Sequence, residues 1–220
     1  MEYSKFQEKW SELHGQAEIT KVISIWLHFA YFLATKVFRG KPVANYLTSF
    51  TAIFAIGYLF FNHNWLGLLF MVISLMLDGL DGPLAIFTES ESIWGGFYDS
   101  FTDRIVESLW FYGFYLASGK LNWVGGMLAT YWIFALTQEY LRARAGGLGS
   151  TDIGIVTISE RPVRGIFLII LEALALTISF HSRVNREIIS YILAVALLFQ
   201  IIALAQLVKY YKNNFSGPTL

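Results

Sequence analysis

Apolar residues in this chain gather into blocks about 20 residues long, the length a helix needs to cross a bilayer. Six such blocks predict six transmembrane helices: about Val43–Phe61, Trp65 into the LDGLDG stretch, Ile93–Ala117, Trp123–Leu141, Val163–Phe180 and Ile188–Val208. The connectors NHN, SGKLN and HSRVNR are short, while RARAGGLGSTDIGIVTISERPVR is longer and carries four arginines. Ahead of these blocks, Met1 to Gly15 is rich in charge. Val22 to Phe38 is apolar, but His28 interrupts it and Lys21, Lys36 and Arg39 flank it. With no small-residue cleavage site closing it, that segment is expected to lie in the membrane interface as an amphipathic helix rather than to act as a cleaved signal. The expected fold is all-α and polytopic. Residues 1–42 are expected to form a cytoplasmic or interfacial amphipathic segment, 43–212 a six-helix transmembrane domain, and 213–220 a tail.

Composition sharpens this picture. Hydrophobic residues make up 55% of the chain and charged ones 15%, against about a quarter charged in soluble domains. Net charge is +0, which offers no footprint for nucleic acid. The absence of cysteine excludes disulfides, thiol nucleophiles and thiolate metal sites. Basic residues set the orientation. With the N-terminus in the cytoplasm, Lys5, Lys9, Lys21, Lys36, Arg39, Lys41, Arg142, Arg144, Arg161, Arg164, Lys209 and Lys212 fall on that side. Only Lys120, Arg183 and Arg186 fall outside, as the positive-inside rule describes.

The chemistry concentrates in LDGLDGPLAIFTESESIWGGFYDSFTDR, from Leu77 to Arg104. At about 100° per residue, Asp78 and Asp81 project within about 60° of each other, and Asp99 and Asp103 within about 40°. The short loop between them makes their helices antiparallel neighbours, so four carboxylates can converge near one end of a hairpin. An aspartate within a span costs roughly 3 kcal/mol, and clustering adds repulsion. Arg104, about 100° round the helix from Asp103, is expected to be a poor counterion. A divalent cation answers the problem, and oxygen ligands without histidine or cysteine favour magnesium, calcium or manganese. Gly82, Ala85 and Gly95 on or beside these stripes leave room for a ligand to approach, or for helices to pack closely. A cation transporter satisfies the same geometry.

The spacing Asp78-x2-Asp81-Gly82-x2-Ala85, then Gly95-x3-Asp99-x3-Asp103, resembles the signature of the CDP-alcohol phosphotransferase (CDP-alcohol phosphatidyltransferase) family, D-x2-D-G-x2-A-R-x8-G-x3-D-x3-D. Seven of the eight fixed positions match in register; Ile86 stands where the family has an arginine associated with the donor's phosphates. Ala44 to Thr48, ANYLT, resembles the family's P-N-x-L-T element, which places Asn45 and Thr48 beside Gly82, Ala85 and Gly95 as donor-nucleotide contacts. The resemblance implies transfer of a phosphatidyl-type group from a CDP-alcohol, such as CDP-diacylglycerol, to an acceptor hydroxyl, with CMP released. It implies one or two Mg2+ or Mn2+ ions held by Asp78, Asp81, Asp99 and Asp103, with Asp103 as general base. It also implies a homodimer embedded in membrane lipid, its active site on the cytoplasmic face of the plasma membrane.

Arg142 and Arg144 end the fourth block, and Arg161 and Arg164 open the fifth. Arginine forks suit a bidentate grip on phosphate. These elements are similar to the phosphatidylinositol-phosphate synthase branch, which implies a phosphorylated polyol acceptor, inositol phosphate first. Arginines at cytoplasmic helix ends also serve as orientation signals and headgroup contacts. Glycerol phosphate would satisfy the same side chains, as in a phosphatidylglycerol-phosphate-type synthase, and a catalytically silent nucleotide-binding relative is a further alternative. Glu107 is expected to extend the acidic face or orient Arg104, and Gln138 and Glu139 to bind the acceptor or cross-link helices. Tyr210 and Tyr211, with Lys209 and Lys212, read as an interfacial anchor. His14, His28, His63 and His181 are too dispersed to form a site.

Overall fold

The computed structural model describes residues 1–13, 19–150, 155–177 and 183–215, apart from the side chains of Val22 and residues 183–186. Its regular elements are all helical: α1 Tyr3–Leu13, α2 Lys21–Phe32, α3 Ala44–Phe61, α4 Trp65–Thr88, α5 Ile93–Ala117, α6 Asn122–Gly147, α7 Arg161–Thr177 and α8 Arg183–Phe215. A π-helical turn, Leu33–Val37, continues α2. Among the described residues, three helical stretches are long and apolar enough to cross a membrane: Ala44–Phe61, Trp65–Thr88 and Glu187–Phe215. Ile23–Val37 is a shorter apolar helix. Helices α5, α6 and α7 occupy the other three apolar blocks and carry more charge, including Asp99, Asp103, Arg104 and Glu107 on α5 alone. His14, His181, the end of the fifth block at 178–180 and tail residues 216–220 lie outside the described residues.

The chain divides into two compact units. The first comprises Met1–Ile56 and Val72–Val106. Its core joins Phe6 of α1, Leu27 and Ala30 of α2, Leu47 of α3 and Leu80, Leu84 and Ile86 of α4. Helix α1 earns its place through an apolar stripe of Tyr3, Phe6 and Trp10 at helical spacing. Edge-on ring contacts seat Phe87 against Phe6 and Tyr31. Thr20 caps α2, its hydroxyl oxygen accepting from the Ile23 amide at 3.4 Å. Helix α4 closes with the Ser90 amide donating to the Ala85 carbonyl and Glu89 at φ 52°. Helix α5 opens with Ser92 Oγ accepting from the Gly95 amide at 2.9 Å. The short tie between these caps sets the aspartate-bearing segments of α4 and α5 as neighbours.

The second unit comprises Gly57–Met71 and Glu107–Leu220. Asn64 caps α4 here, its side-chain oxygen accepting from the Leu66 and Gly67 amides. Helix α6 packs along α8, and polar side chains tie the two together. Gln200 Nε2 donates to Gln138 Oε1 at 2.7 Å, Gln138 Nε2 donates to Thr157 Oγ1, and Ser159 donates to Gln200 Oε1. Each partner in this network is buried, so each bond satisfies a group that would otherwise lose its hydration. Tyr211 is buried against Ala145 and Leu207, which joins the end of α8 to the end of α6.

Candidate functional site

On the first unit, carboxylate oxygens of Asp78, Asp99 and Asp103 all lie within 4.8 Å of one another, each residue being partly buried. Oxygens around one magnesium, manganese or calcium ion sit about 2.0–2.6 Å from it, so opposite ligands are separated by about 4–5 Å. The triad fits that spacing with hard oxygen donors only. Asp81 is held differently. Its Oδ2 accepts from Thr48 Oγ1 at 2.7 Å, and its Oδ1 accepts from the Gly82 amide at 2.7 Å. Three carboxylates therefore form the close group, and the fourth is anchored beside them by α3. Thr48 is a hydroxyl donor to Asp81 in this arrangement.

Arg104 departs from expectation. Its Nη2 reaches Asp103 Oδ2 at 3.6 Å, although the two Cβ atoms diverge round the helix. The long guanidinium arm can fold back on its neighbour. That places one positive charge at the rim of the acidic group.

Asn45 and Gly95 lie together. A Cβ built at Gly95 would come 3.3 Å from Asn45 Oδ1 and 3.0 Å from Ser92 Oγ, so any side chain there would crowd both. Asn45 also lines a cavity of about 380 Å3 with Pro42, Tyr46, Ser49, Trp94 and Tyr98. The Trp94 and Tyr98 rings stack at 6.2 Å and 13°, and the Tyr98 and Ser49 hydroxyls are 2.9 Å apart. Gly82 faces open space, and Ala85 is partly buried. Ile86 is buried in the apolar cluster with Phe6 and Leu27. An arginine at that position would carry its charge into the same apolar packing, which accounts for an aliphatic residue there.

On the second unit the four arginines separate by burial. Arg144, in the last turn of α6, is exposed. Arg142 is forked on Glu160, with Nη2 donating to Oε1 at 2.6 Å and Nη1 to Oε2 at 2.9 Å. Arg161 is nearly covered, its guanidinium 5.4 Å from the centroid of the Trp110 ring. Arg164 is fully buried, donating from Nε to Glu107 at 2.5 Å, from Nη1 to the Ser159 carbonyl at 2.8 Å and from Nη2 to Glu139 at 3.2 Å. Glu107 is thus the partner of Arg164, and Gln138 and Glu139 cross-link helices. Sequence reading missed Glu160, Ser159, Gln200 and the buried bond from Tyr58 Oη to Glu172 Oε2 at 2.8 Å. The signal available was the set of isolated polar residues inside apolar runs.

Glu160 lies in the connector ahead of α7. Burial works against its carboxylate, but the Arg142 fork and the Thr157 amide outweigh it and hold its pKa below the ordinary value. A depressed carboxylate stabilises above its unfolded pKa, about 4.3, and loses that contribution as pH falls through the lower folded value. Protection factors across 155–160, corrected for intrinsic exchange, are therefore expected to hold from pH 7 to 5 and to fall only at lower pH. Glu160→Gln should remove that acid dependence.

The described residues are all helical in their regular structure, include helices long and apolar enough to cross a membrane, and carry an aspartate triad whose oxygens could hold a metal ion. Residues 41–209 match the family model for CDP-alcohol phosphatidyltransferase, and the chain belongs to that family. It is 35% identical over 109 residues to an archaetidylinositol phosphate synthase from Aeropyrum pernix, covering 50% of this chain and 54% of that one. It is 33% identical over 91 residues to an enzyme of the same name from Pyrococcus horikoshii, covering 41% and 48%. The chain thus spans about half the length of the curated relatives it matches.

Proposed function

We propose that this protein is an integral membrane transferase that moves a phosphatidyl-type group from a CDP-alcohol lipid to a hydroxyl of a phosphorylated polyol, inositol phosphate first. The observation that carries this reading is the Asp78, Asp99 and Asp103 oxygen group, standing in the family's register on adjoining helices. The names of the two archaeal relatives support inositol phosphate as the acceptor. Asp78, Asp99 and Asp103, with Asp81 beside them, would hold one or two Mg2+ or Mn2+ ions. Such ions supply positive charge to a pyrophosphate and its leaving phosphate. Asp103 takes the proton from the acceptor hydroxyl. The acceptor oxygen bonds to the β-phosphorus, and the bond from that phosphorus to the bridging oxygen breaks, so CMP departs with the bonding pair. Asn45, Gly95, Gly82 and Ala85 form the donor's surroundings, and Thr48 orients Asp81. The layout proposed is six spans behind an interfacial helix, as a homodimer in the plasma membrane with the site toward the cytoplasm.

Among the arginines, Arg144 is assigned the acceptor phosphate because its fork is exposed; Arg161 and Arg142 flank that role, and Arg164 serves the buried carboxylates. Purified protein in lipid, supplied with Mn2+ and CDP-diacylglycerol or CDP-archaeol, should release CMP on addition of inositol phosphate. CMP release with glycerol phosphate instead would reassign the acceptor, and none with either would sink the transferase reading. Arg144→Ala should raise the acceptor KM about tenfold or more, with donor KM nearly unchanged. Equal losses for both substrates would remove Arg144 from the acceptor side.

A further inference from the structure

Helix α4 contains Pro83 in its interior, two residues after Asp81. In an α-helix, the amide of residue 83 would donate to the carbonyl of residue 79. Proline has no amide hydrogen, and its ring presses on that same carbonyl, so the Gly79 carbonyl loses its intrahelical donor. The gap opens between Asp78 and Asp81, in the turn that carries half of the acidic motif. The neighbouring Gly82 amide donates to Asp81 Oδ1 at 2.7 Å. This turn lacks one rung of the α4 ladder, and a metal site there has to place carboxylates to within about 0.5 Å.

The missing donor arrives from another helix. Trp26 of α2 donates its indole Nε1 hydrogen to the Gly79 carbonyl at 3.0 Å. Glycine at 79 permits the approach, because a Cβ there would lie 3.0 Å from Trp26 Cζ2. Helices α2 and α4 meet on one side of this bond, where Leu27 and Ala30 share a cluster with Leu80 and Leu84. Trp26 is partly buried and packed against the same cluster.

We infer that Trp26 is a positioning residue for the aspartate triad: its indole N–H replaces the donor that Pro83 removes and braces the Asp78–Asp81 turn from the N-terminal helix. The inference rests on the triad being a divalent-cation site, as proposed above. It touches neither metal nor substrate and acts through the α4 backbone. It gives the N-terminal segment a part in the site beyond membrane contact.

The test is a cycle in the full-length protein in nanodiscs: Trp26→Phe, Pro83→Ala and the two together. Trp26→Phe keeps a ring and removes the donor; Pro83→Ala restores an amide to residue 83. Two readouts are followed: Mn2+ binding, from loss of the free-ion paramagnetic resonance signal, and hydrogen exchange of peptides covering 78–88. Trp26→Phe should weaken Mn2+ binding about fivefold and speed exchange in 78–88 by a similar factor. Pro83→Ala should resemble the parent, and the double variant should return both readouts to the parental level, which loss of ring packing alone would not allow. Parental values for Trp26→Phe would overturn the inference, as would a double variant no better than the single one. Should Trp26→Phe fail to fold, the double variant must still fold and bind Mn2+ as the parent does. A parent that binds no Mn2+ would refute the cation site itself, while the exchange cycle would still decide whether Trp26 braces the turn.

Discussion

Asp103→Asn is expected to leave a folded protein that still binds donor and Mn2+ but releases CMP about 10^2–10^4 times more slowly, the range a general base contributes. The substitution keeps shape but loses the capacity to accept a proton, and in the proposed roles Asp103 is the carboxylate least committed to the ion. Asp78→Asn and Asp99→Asn should behave differently, weakening Mn2+ binding along with turnover. The comparison is informative because all three carboxylates lie within 4.8 Å and a purely electrostatic role would make them equivalent. Measured turnover at saturating Mn2+ separates the cases. A parental rate from Asp103→Asn would remove the base assignment, and recovery by added Mn2+ would make Asp103 a ligand only. Arg104, 3.6 Å from Asp103, is the further control: Arg104→Gln removes the rim charge without touching the ligand set.

The closeness of Asp78, Asp99 and Asp103 was legible in the sequence because helical spacing is rigid. Two aspartates three apart and two four apart, joined by a short polar loop, leave few other arrangements. Helix α5 runs over Ile93–Ala117, the limits that the apolar block and its flanking TESES and SGK stretches suggest. Helix α1 was illegible as a helix because Lys5, Glu8, Lys9 and Glu12 dominate its composition, although Tyr3, Phe6 and Trp10 carry the burying stripe. The pairing of Arg104 with Asp103 was missed for another reason. Projection angles locate Cβ atoms, while a guanidinium several bonds farther out can turn back. The Trp26 bond to Gly79 shows the limit most clearly. The donor on Trp26 and the acceptor on Gly79 are 53 positions apart, a pairing that helical spacing does not reach.

The same limit governs the arginines, and it makes Arg164 the sharpest test in the second unit. As a sequence feature it matches Arg144, an arginine at a helix end beside polar residues. In the structure its side chain and that of Glu107 are 0% and 1% exposed, and Glu139 and the Ser159 carbonyl complete its bonds. Removing one member of a buried ion pair strands the other in a low-dielectric interior, at a cost of about 3–5 kcal/mol. Arg164→Met should therefore lower the thermal unfolding temperature sharply, because Glu107 keeps its charge and loses its partner. Glu107→Leu added to Arg164→Met removes both charges and leaves an apolar pair, which should recover most of the stability. If Arg164 instead gripped the acceptor, the double variant would unfold like the parent yet show an acceptor KM as poor as that of Arg144→Ala. Unfolding scans and acceptor titrations on the three variants together distinguish a guanidinium that holds the fold from one that holds the substrate.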